Sequence, residues 1–165
     1  MPRLTDAELL EFLDEPGHLV RLATTDDSGM PLVVPVWFIR HEDQLLITPR
    51  ARSAWRSFLQ RDPRTCFSID EDPSPYRKVT VQGSVRVVHD IGHDDEWRDI
   101  YRSIACRYVP PVAADAYLTD TWDEPRALLS LPWQGADVSV STWRMPIRGE
   151  DAKGVWADRY YGAQP

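Results

Sequence analysis

The sequence predicts an α+β fold of about six short, mostly antiparallel β-strands with short helices between them, curled into a small barrel-like sheet. Three observations carry this expectation. Apolar runs of strand length recur between residues 18 and 143, separated by turn-forming clusters such as Asp26-Asp27-Ser28-Gly29 and His41-Glu42-Asp43. Segments with helical apolar spacing interrupt those runs at the start, the middle and the late part of the chain. No apolar run approaches the ~20 residues of a membrane span.

The elements follow in order. Thr5 and Glu8 form a T-x-x-E capping box ahead of Leu9, Leu10, Phe12 and Leu13, which predicts a helix over 6–14 stopped by Pro16-Gly17. A first strand is expected over 18–25 and a second over 31–40. The second is apolar on both faces, with Val33, Trp37 and Ile39 pointing one way and Leu32, Val34, Val36 and Phe38 the other. Such a strand is covered on both faces or has one face awaiting a subunit or ligand. Pro35 in its middle donates no ladder hydrogen bond and places the strand at an edge or a bulge. A third strand covers 44–48. A helix over 51–61 follows, its buried stripe made by Ala51, Trp55, Phe58 and Leu59. Strands are expected over 65–70 and 76–89, the latter bent or bulged at Gly83. Residues 95–107 read as a helix capped by Asp94 or Asp95, and 112–118 as a second short one. The stretches 125–132 and 138–143 read as a final strand or pair of strands. The chain of 165 residues is read as one domain, 1–165, ending in a short tail from about 144 whose Trp156, Tyr160 and Tyr161 dock on something.

Charge and composition narrow the function. Hydrophobic residues make up 42% and charged residues 27%, the balance of an ordinary globular protein. A net charge of −7 argues against a nucleic-acid binder, which needs a basic face. The N-terminus lacks a signal-peptide layout, and Cys66 and Cys106 make no metal or redox spacing, so both are read as reduced thiols in a cytoplasmic protein. His89 and His93 lie beside several aspartates, but Gly92 and the strand-to-helix break between them undo a metal geometry, and no metal is expected. The basic exception is the segment from Pro49 to Arg64, with five arginines and the single acid Asp62. Arginines at a helix start oppose the helix dipole unless an anion sits there. Arg50, Arg52, Ser53 and Arg56, with free backbone N–H groups, suit a phosphate; the competing reading is a solvated basic face. Seven tryptophans favour a stacking pocket or a subunit interface beside the bulky core that explains some of them.

Together, ATTDDSGMPLVVPVWF, the strand after it, PRARSAWRSFLQRDPR, the strand from Tyr76 to Gly83, YRSIACRY and PRALLSLP resemble the pyridoxamine-5′-phosphate-oxidase-like split-barrel family, over roughly residues 18–143. More narrowly they resemble its flavin- and deazaflavin-dependent reductases. The resemblance implies a homodimer of split β-barrels with cofactor sites at the interface, FMN or the deazaflavin coenzyme F-420 as cofactor, and hydride transfer to or from a small organic substrate. By the same resemblance Val34, Pro35, Val36 and Trp37 lie against the ring system and Thr48 lies near the ring or its ribityl chain. Residues 49–53 grip the phosphate, and Tyr76 and Lys78 come from the following strand, from the same or the other subunit. The family's phosphate segment usually carries a lysine where this chain has Arg52, which can still bind phosphate bidentately. The tail does not show the substrate-binding ending of true pyridoxamine phosphate oxidases. In such sites the cofactor carries the hydride, so no catalytic residue is assigned; Tyr76, Tyr101 and Tyr108 are the candidate proton donors. A non-catalytic dimer of the same fold holding a cofactor or tetrapyrrole is the alternative expectation.

Overall fold

The computed structural model describes residues 2–72 and 74–146; the expected tail docking beyond Pro146 lies outside them. Among the described residues four α-helices accompany two antiparallel sheets, α1 (Asp6–Asp14), α2 (Ala54–Arg61), α3 (Arg98–Cys106) and α4 (Pro111–Asp120). The first sheet has the order β2-β1-β5-β6-β9 and the second β3-β4-β8-β7. The strands are β1 (Val20–Thr25), β2 (Pro31–Val36), β3 (Phe38–His41), β4 (Gln44–Ile47), β5 (Arg64–Asp70), β6 (Lys78–Ser84), β7 (Arg86–His89), β8 (Leu128–Pro132) and β9 (Ser139–Trp143). The sheets face each other as a split barrel and do not close into one ladder. No helix among the described residues is long and apolar enough to cross a membrane.

Among the described residues the strand count reaches nine, because two expected long strands each break and change sheets and the final stretch is a pair, β8 and β9. The stretch 31–40 divides at Trp37 into β2 and β3, and 76–89 divides at Val85 into β6 and β7. The bend expected at Gly83 therefore falls two residues later. Gly83 serves a different end: a Cβ there would lie 3.2 Å from Leu131 Cδ1, so its small size lets the two sheets approach. β2 is an edge strand, as the missing N–H of Pro35 requires.

Packing explains the apolar patterns. Phe38, Leu45, Ile47, Leu129 and Leu131 of the second sheet meet Leu22, Phe67, Ile69 and Val81 of the first in one core, closed at one end by Leu9, Phe12 and Leu13 of α1. The other face of the second sheet, with Leu46 and Leu128, is covered by Trp97 and by Tyr101 of α3, joined by Tyr117 and Leu118 of α4. Strands buried on both faces cannot alternate in polarity, and all five residues of β8 are buried.

Three helical expectations change. α2 begins at Ala54, not Ala51, because Ala51 N–H is committed to Pro125 O at 2.8 Å, part of a short bridge pairing Arg50 with Arg126. Its burial falls mainly on Leu59. The 95–107 helix is a single 3₁₀ turn followed by α3, and neither Asp94 nor Asp95 caps it by side chain. Asp94 is buried and turns inward to accept the Arg126 N–H at 2.8 Å.

Candidate functional site

Where β2 leaves the first sheet and β3 enters the second, the break at Trp37 opens a cavity of about 250 Å³. Pro35, Val36 and Trp37 form one wall. Thr48, Pro49 and Arg50, just past β4, form a second with Ser53 and Trp55 at the start of α2. Tyr101 of α3, Tyr117 of α4 and Arg126 complete it. Trp37 is held by stacking on Tyr108, with centroids 5.0 Å apart and planes within 4°, while the Tyr117 ring meets it edge-on at 5.7 Å. Tyr108 is itself anchored: its hydroxyl donates to His18 O at 2.8 Å and accepts the Phe38 N–H at 3.1 Å.

The cavity floor is cationic. Arg126 is only 4% exposed. It donates to Thr48 O at 3.2 Å and to Tyr117 Oη at 3.1 Å, and its guanidinium carbon lies 4.5 Å from the centre of the Tyr101 ring. Its Nε is buried without a hydrogen-bond partner. Among the described residues no carboxylate pairs with this guanidinium: Asp94 takes its backbone N–H and sits 3.8 Å from Arg98. The outer arginines differ. Arg50 lies 3.0 Å from Glu124 while donating to Tyr117 Oη at 3.2 Å, and Arg52 pairs with the same Glu124. A buried cation without a counter-ion is costly, and an anion in the cavity offsets that cost. Ser53 stands at the N-cap of α2 with no side-chain capping bond, and the first N–H groups of the helix lie beyond it. Burial works to raise the Tyr117 phenol, but the neighbouring Tyr101 hydroxyl and the two guanidinia outweigh it and hold Tyr117 below the ordinary tyrosine value. Burial, helped by the adjacent Tyr117, pushes Tyr101 well up.

Of the residues singled out from the sequence, the fold brings Pro35, Val36, Trp37, Thr48, Arg50 and Ser53 to this cavity. It does not bring the others. Val34 turns inward onto the core. The side chain of Arg52 is 75% exposed on the rim. Arg56 donates to Asp90 at 2.8 Å and borders a separate groove of about 300 Å³ between α2 and β7. Tyr76 is exposed on the loop before β6, and Lys78 is exposed at the start of that strand. Sequence reasoning missed Trp55 and Tyr117 as lining residues, and above all Arg126. The one signal for Arg126 is a lone arginine heading a buried run that is apolar except for Ser130. As for metals, His89 and His93 each reach Glu96, at 3.2 and 2.9 Å. Glu15, His18 and Glu71 lie within 4.8 Å of one another, but the Arg77 guanidinium bonds both carboxylates and takes the place of a cation.

Comparison with known proteins agrees with this architecture. The family profile described as pyridoxamine 5′-phosphate oxidase matches residues 5–134. No curated protein matches the sequence. Among solved structures, a conserved hypothetical protein from Mycobacterium tuberculosis is similar at 20% identity, with a TM-score of 0.67, covering 86% of this chain and 85% of that one. A protein described as an F-420 reductase is similar at 24% identity and TM-score 0.56, over 78% and 94% of the two chains. The heme storage protein of Vibrio cholerae is similar at 20% identity and TM-score 0.60, over 85% and 96%. Identities this low speak for the fold alone.

Proposed function

Because the chain belongs to the pyridoxamine 5′-phosphate oxidase family, we propose that it is a flavin- or deazaflavin-dependent oxidoreductase, binding FMN or F-420 and acting on a small organic substrate. When bound, the cofactor supplies the hydride chemistry. The residues present fit such a group. Arg126 has a buried, unpartnered Nε, and beside it stand Arg50, the uncommitted Ser53 hydroxyl and the start of α2. These would hold a phosphate. Trp37 and Tyr117 offer aromatic surface to a flat ring, and Pro35 cannot donate to a ladder, which leaves that edge free. The cavity is smaller than the ~300–1,000 Å³ of typical ligand sites. It therefore takes one end of such a cofactor, and a second subunit is the natural cover for the rest. We accordingly read the protein as a homodimer, with the exposed Val33 and Met30 near that edge as part of its contact.

The observation that carries this reading is the buried Arg126 without a carboxylate. It is tested by fluorescence titration of cofactor-stripped protein with FMN and with F-420. Micromolar or tighter binding of one of them is expected, about −8 kcal/mol. Arg126→Gln and Arg50→Ala should each weaken it by about 1.5–3 kcal/mol, roughly one to two powers of ten. Arg52→Ala should weaken it least, since Glu124 already holds that side chain at the rim. Unchanged affinity in a folded Arg126→Gln protein would overturn the placement. A cofactor that binds but is never reduced or reoxidised by any donor or acceptor would favour the non-catalytic carrier instead.

A further inference from the structure

The tyrosine hydroxyls of this protein differ in what they can still do. Tyr76 lies outside the cavity, and the Tyr108 hydroxyl is committed to the backbone at His18 and Phe38. Tyr101 and Tyr117 both face the cavity, their ring centroids 6.2 Å apart. The Tyr117 hydroxyl takes hydrogen bonds from two guanidinia: Arg50 Nη2 and Arg126 Nη2 both donate to its oxygen. A phenol oxygen has two lone pairs and one hydrogen. The two guanidinia occupy the lone pairs and leave the hydrogen to be given away.

We propose that Tyr117 is the acid–base group of the cavity, its Oη holding the proton that a bound substrate receives. This rests on the oxidoreductase reading above, in which the reduced cofactor supplies the hydride. The substrate atom next to the one that takes the hydride gains an electron pair, and that pair takes the proton from Oη. The O–H bonding pair stays on the phenol oxygen, and the phenolate is reprotonated from solvent. Arg50 and Arg126 are already placed to hold that phenolate, so little rearrangement is needed as the charge develops. Within the Tyr101–Tyr117 pair the first proton to leave belongs to the side facing the guanidinia, since Tyr101 is the more deeply buried of the two. A phenol brought down toward working pH is a better acid–base catalyst than an ordinary one.

The test is a titration of tyrosine ionisation by phenolate absorbance. One phenol should ionise below the ordinary value of about 10. That step should be absent in Tyr117→Phe; in Tyr101→Phe it should move up without vanishing, since the Tyr101 hydroxyl helps hold Tyr117 down while the two guanidinia remain. Arg50→Met, a change at a partly exposed position, should move it back up, which keeps the test decisive if Tyr117→Phe folds poorly. Superimposable curves for wild type and Tyr117→Phe, or an Arg50→Met curve identical to wild type, would overturn the proposal. FMN and F-420 titrations on the same proteins separate the two readings. A protein that binds a cofactor but lacks the early phenol step loses this proposal and keeps its cofactor. A protein with the early step that binds neither cofactor loses the oxidoreductase reading, and Tyr117 remains the acid–base group for another ligand.

Discussion

Two side chains show how single residues hold this fold in place. Tyr108 braces the crossover between the sheets through its hydroxyl and its ring. Tyr108→Phe keeps the stack on Trp37 but leaves the Phe38 N–H without its partner, and should cost about 1–3 kcal/mol of unfolding free energy by urea titration. Arg77 ties the end of α1 to the loop before β6, donating to Glu15 at 2.8 and 2.7 Å and to Glu71 at 3.0 and 2.7 Å. Its hydrogen bonds hold both carboxyls below their ordinary values against the opposing effect of burial. A carboxyl depressed in the folded state stabilises above its unfolded value and loses that stabilisation as pH falls through the folded one. Stability measured by denaturant should thus be flat near neutrality and fall below about pH 4.5, the unfolded value. Arg77→Met should flatten that acid limb and cost roughly 3 kcal/mol at neutral pH, because the Glu71 side chain, 5% exposed, loses its partner.

At the level of the element, local chemistry and tertiary context separate cleanly. The capping box of α1 is complete, with Glu8 N–H donating to Thr5 Oγ1 and Thr5 N–H to Glu8 Oε2. Thr5→Ala should lower stability by about 1 kcal/mol in the same denaturant experiment. Gly83→Val should cost about 1–3 kcal/mol, since its side chain would press on Leu131. α1, the hairpin at Asp26–Gly29 and the edge position of β2 were legible because each depends on a few adjacent residues. The sheet changes at Trp37 and Val85 were not. Apolar residues keep to the period of two through each break, Val34-Val36-Phe38 at the first and Val81-Val85-Val87 at the second, although Val87 ends up exposed, so the sequence leaves both unmarked. The start of α2 was misplaced because Ala51 is recruited by Pro125, seventy-four residues later. The candidate site divides the same way. Its contiguous walls, 35–37 and 48–53, could be read from the chain, whereas Tyr117 arrives only through the packing of α4 over the second sheet and Arg126 through its bridge to Arg50 just ahead of β8.

For the whole molecule the arrangement makes a testable demand. The outward face of the first sheet leaves Val33 59% exposed at its edge, and the proposed homodimer would cover it. Sedimentation equilibrium should find a dimer, and Val33→Glu should shift it toward monomer while leaving the circular dichroism of the fold intact. The crossover at Trp37 also bears on descent. The cavity there takes its rim from loop and edge positions such as Pro35, Arg50 and Ser53, while the weight of the two apolar cores lies elsewhere. Mutations at that rim are largely uncoupled from folding, so lineages can drift in what they hold without first losing the scaffold. A fold shared by proteins described as an F-420 reductase and a heme storage protein has the diversification that such uncoupling permits.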